Sequence, residues 1–157
     1  MPSFCLPISE CLFIFSVDQL ALLGTSNVNR HPGEIEKMKK QLGIEVNFIL
    51  TYTWSALKEN IKKISSHDRY VLIHVLGNEA RRIATQNMTE GAKLQKAMEV
   101  TMEVVHFCNA FVKNNPQKKV YFSTLLFRED GECHEFLRKK MNYKIQQTLN
   151  EVPIYFS

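Results

Sequence analysis

The sequence predicts an α/β fold: a doubly wound, three-layer domain with a five-stranded parallel sheet between helices. Two observations lead there. Short apolar runs rich in β-branched and aromatic residues recur five times along the 157 residues, and amphipathic helical stretches separate them. A chain of this length buries roughly two-thirds of its unfolded surface in one core, so a single domain without disulfide or metal staples is expected.

The first run is Gln19 to Leu23. A charged amphipathic segment, Pro32 to Leu42, carries Glu34, Lys37, Lys39 and Lys40, and its proline suits the first turn of a helix. The second run, Ile44 to Leu50, follows. In Trp54 to Ile64, the residues Leu57, Ile61 and Ile64 fall at helical spacing. The third run, Tyr70 to Val75, reads YVLIHV without clean alternation, as a strand buried on both faces should. A long helical pattern from about Met88 to Lys113 carries one apolar stripe through Leu94, Ala97, Met98, Thr101, Val104, Val105, Cys108 and Phe111, and Asn114, Asn115 and Pro116 end it. Lys119 to Leu125 reads as the fourth strand, Arg128 to Gly131 as a loop, Cys133 to Leu149 as a helix, and Val152 to Phe156 as the fifth strand. Residues 1–18 form an apolar N-terminal extension and residues 19–157 the α/β domain, with no repeat, linker or low-complexity tract dividing them.

Apolar residues make up 45% of the chain and charged residues 23%, as in ordinary folded proteins. A formal charge of +4 falls short of the strong basicity of a dedicated nucleic-acid binder. Cys5, Cys11, Cys108 and Cys133 form no C-x-x-C pair and no zinc-ligand spacing, so they read as reduced thiols of an intracellular, cytoplasmic protein. The apolar stretch Phe4 to Val17 contains Pro7 and Glu10, lacks a basic leader and is too short to cross a bilayer, so neither a signal peptide nor a membrane partner is expected. The sequon Asn87-Met88-Thr89 would matter only in a secreted chain.

Ligands of open α/β sheets bind beyond the carboxyl ends of the strands, near the point where strand order reverses. The segments Gly24 to Arg30, Thr51 to Trp54, Leu76 to Arg82 and Leu126 to His134 are expected as loops on that edge. After the first strand comes Leu23-Gly24-Thr25-Ser26-Asn27-Val28, which by turn chemistry also reads as a Ser/Asn closure of a βα loop. After the third comes His74-Val75-Leu76-Gly77-Asn78-Glu79, where Asn78 also suits the cap of a following helix. The fourth strand continues as Phe122-Ser123-Thr124-Leu125-Leu126-Phe127-Arg128, and Leu137, Met141, Asn142, Ile145 and Leu149 pattern the next helix.

In this order the segments resemble the blocks of the SGNH (GDSL-type) hydrolases, including the Oskar-type and retrotransposon members, over about residues 19 to 157. The resemblance implies a serine nucleophile at Ser26, whose own N–H and the Asn78 amide hold the oxyanion of an acyl or acetyl ester, with no cofactor and no metal. The departures are several. Thr25 replaces the family's aspartate, the second-block glycine is missing from Thr51-Tyr52-Thr53-Trp54, where bulky side chains would occlude the pocket, and Leu76 and Glu79 replace the Gly and Asp of G-x-N-D. The D-x-x-H block expected beyond the fifth strand is absent, as if the domain stopped before its last helix. His134, with Asp130 nearby, is the candidate substitute base, and otherwise reads as a solvated residue at a helix start. His74 reads as a hydrogen-bonded core histidine, and His31, His67 and His106 as loop or surface residues.

The expected function is therefore a degenerate SGNH-like domain without esterase activity that binds RNA or protein. The alternative is a serine esterase using Ser26. Basic clusters at Lys37, Lys39 and Lys40, at Lys62, Lys63 and Arg69, at Arg81 and Arg82, at Lys118 and Lys119, and at Arg138, Lys139 and Lys140 favour an RNA partner. They read equally as solvated faces balanced by Glu34, Glu36, Glu59 and Glu135. A nucleotide or flavin at the Gly24 loop is a third reading, although G-T-S-N-V-N lacks the spacing of a dinucleotide fingerprint or a P-loop.

Overall fold

The strand β1 (Gln19–Gly24) pairs on one side with β2 (Glu45–Leu50) and on the other with β3 (Asp68–Ile73). These facts come from a computed structural model of the protein, which describes residues 19–24, 36–37, 39–41, 43–126, 128–149 and 154–155. β3 pairs with β4 (Lys119–Ser123) and β4 with β5 (Ile154–Tyr155), every pair is parallel, and the spatial order is β2-β1-β3-β4-β5. The parallel α/β expectation holds. Four strands of five or six residues form the body of the sheet, while the run expected from Val152 to Phe156 is described only as a two-residue strand at the outer edge. The chain steps outward from β1 to β2 and returns across β1 to β3, so the order reverses at the carboxyl ends of β1 and β3.

Among the described residues that follow β2 are four helices: α1 (Trp54–Asn60), continued by a 3-10 turn at Ile61–Lys63, α2 (Gly77–Thr85), α3 (Glu90–Asn114) and α4 (Glu132–Thr148). Helix α3 packs on α2 and α4, and α2 packs on α4. Their inward residues, among them Leu57, Ile83, Val104, Cys108, Leu137, Met141 and Ile145, join Ala21, Leu23, Ile49, Val71, Ile73, Val120 and Phe122 of the sheet in one core. The stripe on α3 lands as its 3.6-residue period requires, with Ala97, Thr101, Val104, Val105 and Cys108 buried. The β1–β2 connection, which a right-handed crossover sends to the opposite face, is described as helical at residues 36–37 and 39–41.

Three expectations need correction. YVLIHV does alternate: Val71, Ile73 and Val75 are buried in the core, whereas Tyr70, Leu72 and His74 on the other face are half-buried. Bulky apolar residues on both faces hid that period. Second, Leu76 to Arg82 is not a loop, because Gly77 begins α2, whose buried Ala80 and Ile83 span too short a run to stand out in the sequence. Third, β4 ends at Ser123 rather than Leu125. Asn142 of α4 draws the chain away there, its Oδ1 accepting the Leu125 N–H at 2.7 Å and its Nδ2 donating to the Leu125 carbonyl at 3.0 Å.

The amino edge carries a polar knot that the sequence did not announce. Buried Asp68 accepts through Oδ2 from Asn47 Nδ2 at 3.1 Å and from the Ser65 N–H at 2.8 Å. Lys118 Nζ donates to the carbonyls of Ser65 (2.9 Å) and Asp68 (2.8 Å), tying β2, β3 and the turn before β4 together at the end remote from the candidate site.

Candidate functional site at the carboxyl edge

Backbone bonds lace the carboxyl ends of β1, β2 and β3. The Gly24 carbonyl accepts the Thr51 N–H at 2.7 Å, and the Leu23 carbonyl accepts the His74 N–H at 2.8 Å. Ser26 follows two residues after Gly24 and, like Thr25, Asn27 and His31, lies outside the described residues. The structure therefore supplies the frame around the expected nucleophile.

On the β2 side, Thr51 is buried, its hydroxyl donating to the Ile49 carbonyl at 2.9 Å and accepting from Asn60 Nδ2 at 3.1 Å. Thr53 caps α1, its hydroxyl accepting the Ala56 N–H at 3.1 Å. Trp54 turns inward rather than over the edge. Its indole N–H donates to Glu103 at 2.8 Å, its ring meets Phe107 edge-on at 5.1 Å, and Lys58 Nζ lies 4.6 Å from the ring centre. The expected occlusion by bulky side chains thus fails for Thr51 and Trp54, because both are committed to the interior, and only Tyr52 is left exposed, at 45%.

On the β3 side, fully buried Leu76 has φ 81° and ψ −17°, the sole positive-φ residue other than glycine among those described. It stands where G-x-N-D has its first glycine, and a side chain in that conformation costs about 1–2 kcal/mol. Asn78 follows in the first turn of α2. It does not cap its own helix, since Leu76 holds that position. Instead its Nδ2 crosses to the β2 loop and donates to the Tyr52 carbonyl at 2.8 Å. A primary amide carries two donor hydrogens, so one remains after that bond. Glu79, only 2% exposed, accepts the backbone N–H of Trp54 through Oε1, while its buried Oε2 has no partner. The N-termini of α1 and α2 are thereby clamped together, a carboxylate placement that the helix dipoles favour. Sequence reasoning noted Glu79 only as a departure from Asp; an acidic residue directly after Asn78, within the first turn of a helix, was the available signal.

His134 is neither in a loop nor solvated. It lies in the first turn of α4 and is 1% exposed, and among the described residues neither ring nitrogen has a hydrogen-bond partner. Its spacing to Leu137, Met141 and Ile145, all buried, puts it on the core stripe of the helix, a period the sequence displays. Burial pushes its pKa down, and the Asp130 carboxylate pulls it back in part. Asp130 itself pairs with Arg128 at 3.0 Å and with Arg81 at 4.0 Å, so the Asp130–His134 pair expected of a substitute base is not hydrogen-bonded. His74, at the end of β3, is half-buried with its pKa lowered by burial, and no described residue hydrogen-bonds its ring, which corrects the expected hydrogen-bonded core histidine.

Several of the basic side chains are already engaged. Lys39 pairs with Glu36 (3.2 Å) and Glu45 (3.3 Å), Lys62 with Glu59 (3.6 Å), and Arg138 (2.7 Å) and Lys139 (3.8 Å) with Glu135. Among the described residues, no helix is long and apolar enough to cross a membrane, and no group of three His, Cys, Asp or Glu is placed to hold a metal ion.

No protein-family model matches the sequence, and no curated protein matches it. Among solved structures, the fold is similar to that of a suggested acylhydrolase from Bacteroides fragilis, with a TM-score of 0.52 at 15% identity over 88% of this chain and 67% of that one. At that identity the likeness is one of fold: this chain shares with that protein the α/β architecture of a parallel sheet flanked by helices.

Proposed function

We propose that the chain is an SGNH-like domain that does not turn over esters and that binds a protein partner through the carboxyl edge of its sheet. One observation carries this reading: His134, the candidate base, is buried in the core stripe of α4 with neither ring nitrogen bonded to a carboxylate. A serine hydroxyl is a poor nucleophile unless an oriented base takes its proton. The scaffold around the edge supports the SGNH part of the reading, with Leu76 in a glycine-like conformation and Asn78 at the start of α2. Leu50, Tyr52 and Leu126, exposed at the ends of β2 and β4, give that edge apolar area for a partner. The ion pairs of Lys39, Lys62, Arg138 and Lys139 favour a protein over RNA, because a paired cation has less to gain from a phosphate.

The test is hydrolysis of short p-nitrophenyl esters together with fluorophosphonate labelling. The expected result is neither turnover nor rapid labelling. Turnover and labelling that both vanish in Ser26→Ala overturn the reading in favour of the second one, a serine esterase. That second reading draws support from His74, half-buried beside the Leu23 carbonyl at the strand end that leads to Ser26. A gel shift with single-stranded and structured RNA, steep in salt, would replace protein by RNA as the partner.

A further inference from the structure

Helix α4 has an outer face that nothing in the described chain covers. Phe136 is 43% exposed and Tyr143 60%. Beside Phe136 runs a groove of about 550 Å³ lined by Arg128, Glu129, Glu132, Glu135, Phe136 and Lys139. Arg128, Glu135 and Lys139 of this groove are held in ion pairs, Arg128 with Asp130 and Glu135 with Arg138 and Lys139, and the charges left over are segregated along the face. Glu129 and Glu132 lie at the amino end, and Lys140 and Lys144 lie about two and three turns further on. Among the described residues none of these four forms an ion pair, and Lys140 meets only the ring of Phe136, at 5.6 Å. Glu132 and Lys140 cannot satisfy each other within one helix, because eight residues of rise hold them about 12 Å apart.

A face that is acidic at one end, basic at the other and aromatic between is complementary to itself turned end for end. We infer that this face of α4 is a homodimer interface, in which the helices of two copies pack antiparallel about a two-fold axis at Phe136. That register sets Glu132 of each copy opposite Lys140 of the other. Each Phe136 enters the groove beside its mate. A two-fold contact repeats every pairing twice, which suits a patch carrying both halves of each pair. Antiparallel helices also oppose their dipoles favourably. The face begins at the carboxyl edge, at residues 128–132, and runs away from it along α4; it uses none of Leu50, Tyr52 or Leu126, so the inference does not require that edge to bind a partner.

Sedimentation equilibrium from about 5 to 500 µM, the range in which interfaces of modest area associate, tests it. The full chain should pass from 18.2 kDa to twice that mass. E132K and K140E each set like charges against one another at both symmetry-related contacts, and each should raise the dimer dissociation constant by about tenfold or more. The double variant E132K/K140E restores opposite charges and should dimerise again, while circular dichroism confirms that all three are folded. A wild-type chain that stays at 18.2 kDa throughout, a dimer indifferent to the single reversals, or a folded double variant that remains monomeric overturns the inference.

Discussion

Replacing Leu76 by alanine and by glycine separates two effects that this residue combines. Its side chain is fully buried beneath the carboxyl edge, and its backbone sits at φ 81°. Truncation to alanine removes a buried isobutyl group and leaves a cavity, a loss of about 3–5 kcal/mol. Alanine keeps the left-handed strain, which is worth about 1–2 kcal/mol for any residue with a Cβ. Glycine relieves the strain, against about 0.8 kcal/mol for the buried Cβ that alanine keeps and about 0.4–1 kcal/mol for the extra freedom of its unfolded chain. The net expectation is near parity, with Leu76→Gly within about 0.5 kcal/mol of Leu76→Ala, where an ordinary buried position would favour alanine by about 1–2 kcal/mol. Urea titration followed by circular dichroism reads this directly: with a slope near 2 kcal/mol/M the two midpoints should lie within about 0.3 M of each other, instead of glycine falling about 0.6–0.9 M below alanine. A glycine variant below alanine by the full amount of about 1–2 kcal/mol of a normal strand or helix position would refute the left-handed assignment and with it the match of this turn to the glycine of G-x-N-D.

Three further outcomes are expected. Burial lowers the folded-state pKa of His134 and of His74, so the unfolded chain binds more protons: stability is fully present above the ordinary histidine pKa near 6.5 and falls as pH drops through it, and His134→Leu should flatten the slope of unfolding free energy between about pH 5 and 7. An unchanged slope would mean that the His134 ring is hydrated. Glu79→Ala strands the Trp54 N–H in the interior and should cost about 2–3 kcal/mol in chemical unfolding, whereas Glu79→Gln keeps an acceptor and should cost less than half of that; equal losses would argue against the clamp. With Cys5 and Cys11 replaced by serine, a thiol reagent should label half-buried Cys133 in the native protein and leave Cys108 unreacted until unfolding, since Cys108 is fully buried with its thiol pushed up to about 12.

The order of strands and helices was readable because apolar pattern reports burial: a parallel sheet covered on both faces demands short apolar runs, and its crossover helices demand one apolar stripe each. Gln19 to Leu23, Ile44 to Leu50 and the α3 stripe were legible in this way. Helix α2 was missed because nine residues with two buried apolar positions carry too little period to rise above the neighbouring strand. His134 was misplaced for another reason: its neighbours Asp130, Glu132 and Glu135 suggest solvent, whereas its spacing to Leu137 and Met141 points inward, and the spacing prevailed. At the carboxyl edge, Asn78 could be picked out by its place after a buried strand. Its partner could not, because the Tyr52 carbonyl lies 26 residues away in sequence.

By itself the sequence determined the fold class, the strand positions to within a few residues, and the edge on which Asn78 lies, since apolar period and turn chemistry are local properties that any window of the chain displays. Only the tertiary structure decided that Leu76 takes a glycine's conformation, that Glu79 clamps Trp54, that His134 lies in the core without a carboxylate, and that lysines such as Lys39 and Lys62 are paired. Those outcomes rest on which residues meet across crossovers and at helix ends, and on which face of an element a neighbour covers. Both are set by packing of the whole sheet rather than by any stretch of sequence.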